Sequence, residues 1–519
     1  MKKLIYTLAL LLLSLPLFAN AYKIVDVQYN ITPCSWPFLG VTKQNSLENN
    51  VPLNKTKTFE SVEELETYLS DYKQRLSNTR AFDKIDVSYD IKQNTSLNEV
   101  YLKVSLTDTV HLLAVPYPKY DSNSGVVFKI KAKDTNFLGT MNPMSTDINF
   151  SLDNTESEKQ IALGFNFDYD YPFKAGIFNA TWVNSHALDY TFGEDAPDWN
   201  SKTGLRFVLP KPGISFVFDL YQYASYNNDF ISYNDALYFT QYAAFSMPIS
   251  LFEINNFGTV TTTPSISFTH NWDKDGIDPF NTSLSSPTMK IGNNIAGSRI
   301  NWRHNFRTGV MFNLGTYIDY NFQRKTVIPY ITNNVSLFKS FTISDNFVVF
   351  KRFGLCADLE AFYYFNDKSS VYAYSDGKSI GSSLRGIKDS QGYANESGLG
   401  NSTTVPTAFV FNFDLPLHIF STNFDSKVLK HFNFDLQFSP FFDMALTYNK
   451  ATKQYFNLKD GFYGAGFEVL VYPKKWSSFV VRGSLGFDIG RLLLEDHLNT
   501  DWRKKHSARE VSIGIGLHY

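Results

Sequence analysis

The sequence predicts a mainly β protein: a transmembrane antiparallel β-barrel of about sixteen strands, preceded by a small α+β domain. Three observations predict it. From Asp121 to the C-terminus, apolar and polar residues alternate with period two in strand after strand. The chain opens with an export leader, yet no later apolar run is long enough for a membrane helix. Aromatic residues reach 16%, with 47 Phe and 31 Tyr, a load that suits strands meeting lipid and its interfaces. Alternation alone fits a β-sandwich as well as a barrel. The leader, the aromatic load and the strand-final Tyr519 favour the barrel.

Residues 1–21 read as a secretory signal peptide. Lys2 and Lys3 form a positive n-region, Leu4 to Phe18 an apolar core, and Ala19-Asn20-Ala21 a cleavage site, so the mature chain is expected to begin at Tyr22. Residues 22–112 differ in pattern from the rest of the chain. "YKIVDVQYNI" alternates as a strand. Ser61 and Glu64 then form a capping box, and Val62, Leu65, Leu69, Tyr72 and Leu76 make one helical stripe, read as ordinary core packing. "FDKIDVSYDI" and "NEVYLKVSL" come next as two strands. Cys34 and Cys356 are the two cysteines, too few and too far apart for a disulfide framework.

Residues 113–519 are expected to form the barrel, with room for about sixteen strands and their loops. In "IALGFNFDYDY", Ile161, Leu163, Phe165, Phe167, Tyr169 and Tyr171 oppose Ala162, Gly164, Asn166, Asp168 and Asp170. In "VSIGIGLHY", Val511, Ile513, Ile515, Leu517 and Tyr519 oppose Ser512, Gly514, Gly516 and His518. The apolar set should meet lipid and the small polar set the lumen. Polar, turn-rich stretches read as loops, among them "SHALDYTFGEDAPDWNSKTG" and the longest one, which holds Arg385.

Lys+Arg 48 against Asp+Glu 50 leaves no basic footprint for nucleic acid. The nine histidines form no metal-spaced pair, and no nucleophile elbow or phosphate loop occurs, so no enzyme activity, metal or cofactor is expected. The inward charges say more. By the alternation, Asp443, Asn412, Asp414 and Asp488 face the lumen. A long loop folding in could bring them a guanidinium, whose planar fork suits bidentate pairing with carboxylate.

The order of these features resembles the BamA/TamA superfamily of outer-membrane assembly factors, the bacterial surface antigens. "QRLSNTRAFDKIDVSY" resembles a stretch of a POTRA domain, and "YDSNSGVVFKIKAKDTNFLGTMNPM" the first barrel hairpin. Leu384-Arg385-Gly386-Ile387 resembles the arginine-glycine motif of the sixth extracellular loop, with Ile387 where that family has an aromatic. Asn412-Phe413-Asp414 resembles the next strand, and Phe441-Phe442-Asp443-Met444-Ala445 the strand after it, with Ala445 in place of Gly. "GFYGAGFEVLVYP" and "VSIGIGLHY" are similar to the last strands. The resemblance implies that Arg385, with Gly386, pairs with Asp443 and also Asp414 inside the barrel.

It also implies function and place. The α+β domain would lie in the periplasm as a single POTRA-like module, and the barrel in the bacterial outer membrane. The expected partners are the lipid bilayer, unfolded outer-membrane or secreted polypeptides, and periplasmic accessory proteins. Polypeptides would enter the membrane at a seam between the first and last strands. Gly514 and Gly516, with Leu517 and Tyr519 after them, would mark that seam, because glycine weakens a strand. A polypeptide secretion pore and a passive porin or scaffold are the alternatives.

Overall fold

The computed structural model describes residues 21–519 except 37–38, 95–96, 122–124, 154–159, 255–257, 345, 348–349, 367–376, 388–403, 427–428, 450–451, 477–478, 491–508 and 518–519. The signal peptide expected over residues 1–21 lies almost wholly outside the described residues, and Tyr519 does as well. The chain divides into two compact units between Thr109 and Val110.

The first unit contains β1 (Ala21–Thr32), α1 (Gln44–Asn50), β2 (Thr58–Phe59), α2 (Val62–Asn78), β3 (Phe82–Lys92) and β4 (Leu97–Asp108). Its sheet runs β2-β1-β4-β3, and β1 pairs with β4 in parallel. A parallel pair needs a crossover, and the two helices supply it. Ser61 caps α2 by accepting the Glu64 N–H at 3.2 Å. The Glu64 carboxylate reaches back one residue further than expected, to the Glu60 N–H at 2.9 Å. Leu65, Leu69, Tyr72 and Leu76 are buried on one stripe of α2. Val100, Leu102, Val104 and Leu106 are buried at alternate positions of β4. Both cysteines are buried and unbridged.

The second unit is a closed barrel. It runs through β5 (Leu112–Asp121), β6 (Gly125–Asp134), β7 (Met144–Asp153), β8 (Gln160–Tyr169), β9 (Tyr171–Ala175), β10 (Phe178–Thr191), β11 (Asp198–Lys211), β12 (Ile214–Tyr226), β13 (Leu237–Ser246), β14 (Ile249–Ile254), β15 (Gly258–Trp272), β16 (Thr288–Arg303), β17 (Phe306–Asn321), β18 (Thr326–Thr342) and β19 (Arg352–Tyr364). A two-stranded sheet of β20 (Lys378–Ser379) and β21 (Thr404–Val405) stands apart from the wall. β22 (Thr407–Asp414), β23 (Leu417–Ser421), β24 (Phe434–Asn449), β25 (Gln454–Tyr455), β26 (Phe462–Pro473), β27 (Val481–Asp488) and β28 (Arg509–Ile515) complete the circuit, and β28 neighbours β5. β8 and β9 share one neighbour, as do β13 and β14, and β22 and β23. With these joined and the two-residue β25 set aside, the described residues form eighteen antiparallel staves, close to the sixteen expected.

The wall's polarity separates barrel from sandwich. Phe128 pairs with Phe150 and Phe150 with Leu163; Ile130 pairs with Ile148 and Ile148 with Phe165. All six are exposed on the outer face of three adjacent staves. A continuous apolar outer face is what a bilayer-crossing barrel presents to lipid. The stretch expected as a loop at Ser185–Gly204 is instead mostly strand, with β10 running to Thr191 and β11 starting at Asp198. Its polar composition reflects paired staves rich in Asn, Ser and Asp, so composition read as loop where the backbone is hydrogen-bonded.

Candidate functional site: a loop arginine inside the barrel

β22, β24 and β26 are neighbours, and their inward positions fall side by side. Asn412 is opposite Asp443, Asp443 opposite Gly464, and Ser439 opposite Glu468. Alternation therefore raises a patch of buried carboxylates on one wall: Asp414, Asp443 and Glu468 are each at most 7% exposed. The loop after β19 brings Arg385 onto this patch, where it is 5% exposed.

One guanidinium serves all three acids. Arg385 Nε donates to Asp443 Oδ2 at 2.9 Å and Nη2 to Asp443 Oδ1 at 2.7 Å, a bidentate pair. Nη1 donates to Asp414 Oδ1 at 2.7 Å and Nη2 to Asp414 Oδ2 at 3.3 Å. Nη1 also lies 3.3 Å from Glu468 Oε1. The Arg385 backbone N–H donates to Asp443 Oδ2 at 2.8 Å, so this carboxylate fixes both the side chain and the main chain. The Phe441 ring sits 3.8 Å from the guanidinium carbon and covers one face of it. Arg482 Nη1 lies 3.5 Å from Glu468 Oε1, and Arg307 lines the same cavity of about 30 Å³ as Asp414 and Glu468. Three guanidiniums thus share this region with three carboxylates, and that cavity has room for about one water.

The loop's close approach depends on glycines in the wall. A Cβ on Gly464 would collide with the Arg385 carbonyl oxygen. A Cβ on Gly486 would come within 2.6 Å of the Gly386 nitrogen. Gly386 has φ of +82°, which a side chain disfavours. Beside the charges, Leu384 and Ile387 pack with Phe362, Ile380, Val405, Ala408, Val410, Ala445 and Phe462 in a buried apolar cluster. The two departures from the family motif, Ile387 and Ala445, therefore belong to one packing unit.

No protein-family model matches this sequence, and no curated protein does. Its likenesses are to solved outer-membrane proteins. The chain is similar to BamA from Haemophilus ducreyi lacking POTRA domains 1–3, at 13% identity over 94% of this chain and 84% of that one, with a TM-score of 0.37. It is similar to CdiB from Escherichia coli at 10% identity over 94% and 76%, TM-score 0.45, and to CdiB from Acinetobacter baumannii at 10% identity over 94% and 73%, TM-score 0.43. Identity and superposition are both low, so the functional reading rests on this chain's own residues.

The expected loop residues Arg385, Gly386, Asp443 and Asp414 thus come together. Sequence reasoning did not assign Glu468, Phe441 or the two wall glycines to the site. Glu468 had a legible signal: it is a lone charge in "GFEVLVYP", in register with Gly464 and Gly466.

The last strand carries two further facts. Glu510 Oε2 accepts the Gly386 N–H at 2.6 Å, tying the loop to β28. Leu517 departs from the expected outward alternation. β28 ends at Ile515, Gly516 takes φ of +109° with its N–H donating to Val480 O, and Leu517 packs against the buried Leu470, Tyr472 and Val480. A positive φ breaks the period-two rule, so the residue after it faces inward.

Proposed function

We propose that the chain is an outer-membrane barrel of the polypeptide assembly and insertion type. Its α+β unit acts as a single POTRA-like module in the periplasm, receiving unfolded outer-membrane or secreted polypeptides by strand addition at a sheet edge, as accessory proteins deliver them. The barrel passes them into the bilayer at the seam between β28 and β5. Neither a cofactor nor nucleic acid enters this reading.

The closing strand carries it. Its ladder with β27 ends at Ile515, where Gly516 turns away with φ of +109°, and Gly514 adds no side-chain packing to it. A Cβ on Gly514 would meet nothing within 4 Å, so no close approach demands glycine there. A weak closing strand suits a seam that opens.

Arg385 serves as the latch that keeps the loop in the lumen while the seam is closed. The same buried loop would also suit a polypeptide secretion pore, with the loop withdrawn. Depleting the protein in its own host separates the two. An assembly factor predicts falling levels of other outer-membrane barrels, and a secretion pore predicts loss of one exported partner with barrel levels steady.

A further inference from the structure

Across the barrel from the seam, the outer wall carries a row of polar side chains. Asn184 on β10 is opposite Thr203 on β11, Thr203 opposite Gln222 on β12, Gln222 opposite Gln241 on β13, and Gln241 opposite His270 on β15. These five share the outer face with Trp182, Leu220 and Phe268, which are exposed. The neighbouring row, two residues or about 7 Å along the staves, is Trp182, Leu205, Leu220, Ala243 and Phe268. On the other side stand Phe239 and Trp272, stacked at 4.7 Å. The polar row thus borders the apolar band at the depth where aromatic residues mark a membrane interface.

Three of its members have local partners. Trp182 Nε1 donates to Thr203 Oγ1 at 2.9 Å, and Thr203 Oγ1 to Asn184 Oδ1 at 3.1 Å. Gln222 uses its amide on the adjacent Tyr223 carbonyl. Gln241 is exposed and has no hydrogen-bond partner among the described residues, and the buried His270 Nδ1 has none either. Polar groups on a lipid-facing wall are costly unless something pairs with them. Beside them the wall is hollow. Small Ala243 lies between Leu220 and Phe268, and a groove of about 820 Å³ runs between Trp182, Leu220 and Phe268, with Gln222 and Gln241 on its rim.

We infer that this wall holds a site for one zwitterionic glycerophospholipid. An acyl chain fills the apolar groove, and ester and headgroup atoms meet Gln241, Gln222 and His270. The row carries no Lys, Arg, Asp or Glu, which favours a lipid head without net charge over an anionic one. Position argues for lipid over polypeptide: groove and row lie on a surface that faces the bilayer, apolar toward its middle and polar toward its edge.

The test is native mass spectrometry of the full chain in mild detergent, delipidated and then offered phosphatidylethanolamine or phosphatidylglycerol. The wild type should retain one phosphatidylethanolamine through the removal of detergent. Gln241→Leu combined with His270→Leu should lower that retention at least tenfold, and so should Ala243→Phe, which fills the groove. Both variants place apolar groups toward lipid, and unchanged heat-modifiable gel mobility checks that each barrel is folded. Equal retention in all three proteins overturns the site, as does equal or stronger retention of phosphatidylglycerol. A dimer in the wild type that Ala243→Phe abolishes also overturns it, because the occupant would then be a second copy of this chain.

Discussion

Arg385 Nη2 stands 2.7 Å from Asp443 Oδ1, and neither residue is more than 5% exposed. Exposed ion pairs contribute little, but removing one partner of a buried pair strands the other charge. Arg385→Ala should therefore destabilise the barrel by about 3–5 kcal/mol, since Asp443 and Asp414 lose their guanidinium together. Urea unfolding of the protein in vesicles, followed by heat-modifiable gel mobility, measures this. A change under about 1 kcal/mol would mean that the pair behaves as a surface contact.

The loop can be displaced without touching a charge. A Cβ at Gly464 meets the Arg385 carbonyl oxygen, and the loop backbone must then move. Gly464→Ala should expose the loop to added protease and raise single-channel conductance, with Asp443 and Asp414 intact. Unchanged protease resistance would show that the loop does not depend on that approach.

At the seam, Glu510→Ala removes the acceptor for the Gly386 N–H. Backbone amides of β28 should then exchange with deuterium faster, while those of β17 keep wild-type rates. Gly514→Ala should act in the opposite direction, slowing exchange in β28, because the site has room for a methyl group and alanine orders the strand better than glycine. Identical exchange in all three proteins would leave loop and seam uncoupled.

In the first unit, Ser61→Ala should cost about 1 kcal/mol at α2, read as faster exchange of its first turn. Glu64 adds a pH dependence. The hydrogen bond from the Glu60 N–H, with a smaller contribution from Lys57, holds its carboxyl below the ordinary value of 4.5. A depressed carboxylate stabilises the fold above its unfolded pKa, and that contribution disappears as pH falls through the folded value. Protection of the first turn, corrected for intrinsic exchange, should hold at neutral pH and decline below 4.5. Glu64→Gln should remove the decline.

Much of this was legible in the sequence. Alternation places Asp414 and Asp443 on the inward face because side-chain period and wall geometry share one rule. It gives the face of a residue but neither its height along a stave nor its neighbours around the barrel. Only the register shows that Glu468 joins the same guanidinium. Gly464 and Gly486 look like any inward glycine until the loop passes over them. Leu517 was misplaced because one left-handed residue, Gly516, ends the alternation that the preceding residues obey. The staves through Ser185 and Gly204 read as loop because polar composition, which usually marks a turn, also marks strand near a membrane's edge.

The most direct test of the central claim is reconstitution. The purified chain, placed in lipid vesicles, is offered a urea-denatured outer-membrane barrel polypeptide, and folding of that polypeptide is followed by gel mobility. Wild-type vesicles should fold it at least tenfold faster than empty vesicles, and Gly514→Ala should lose much of that gain by holding the seam shut. Equal folding rates in wild-type and empty vesicles, with the barrel itself folded, would contradict the account.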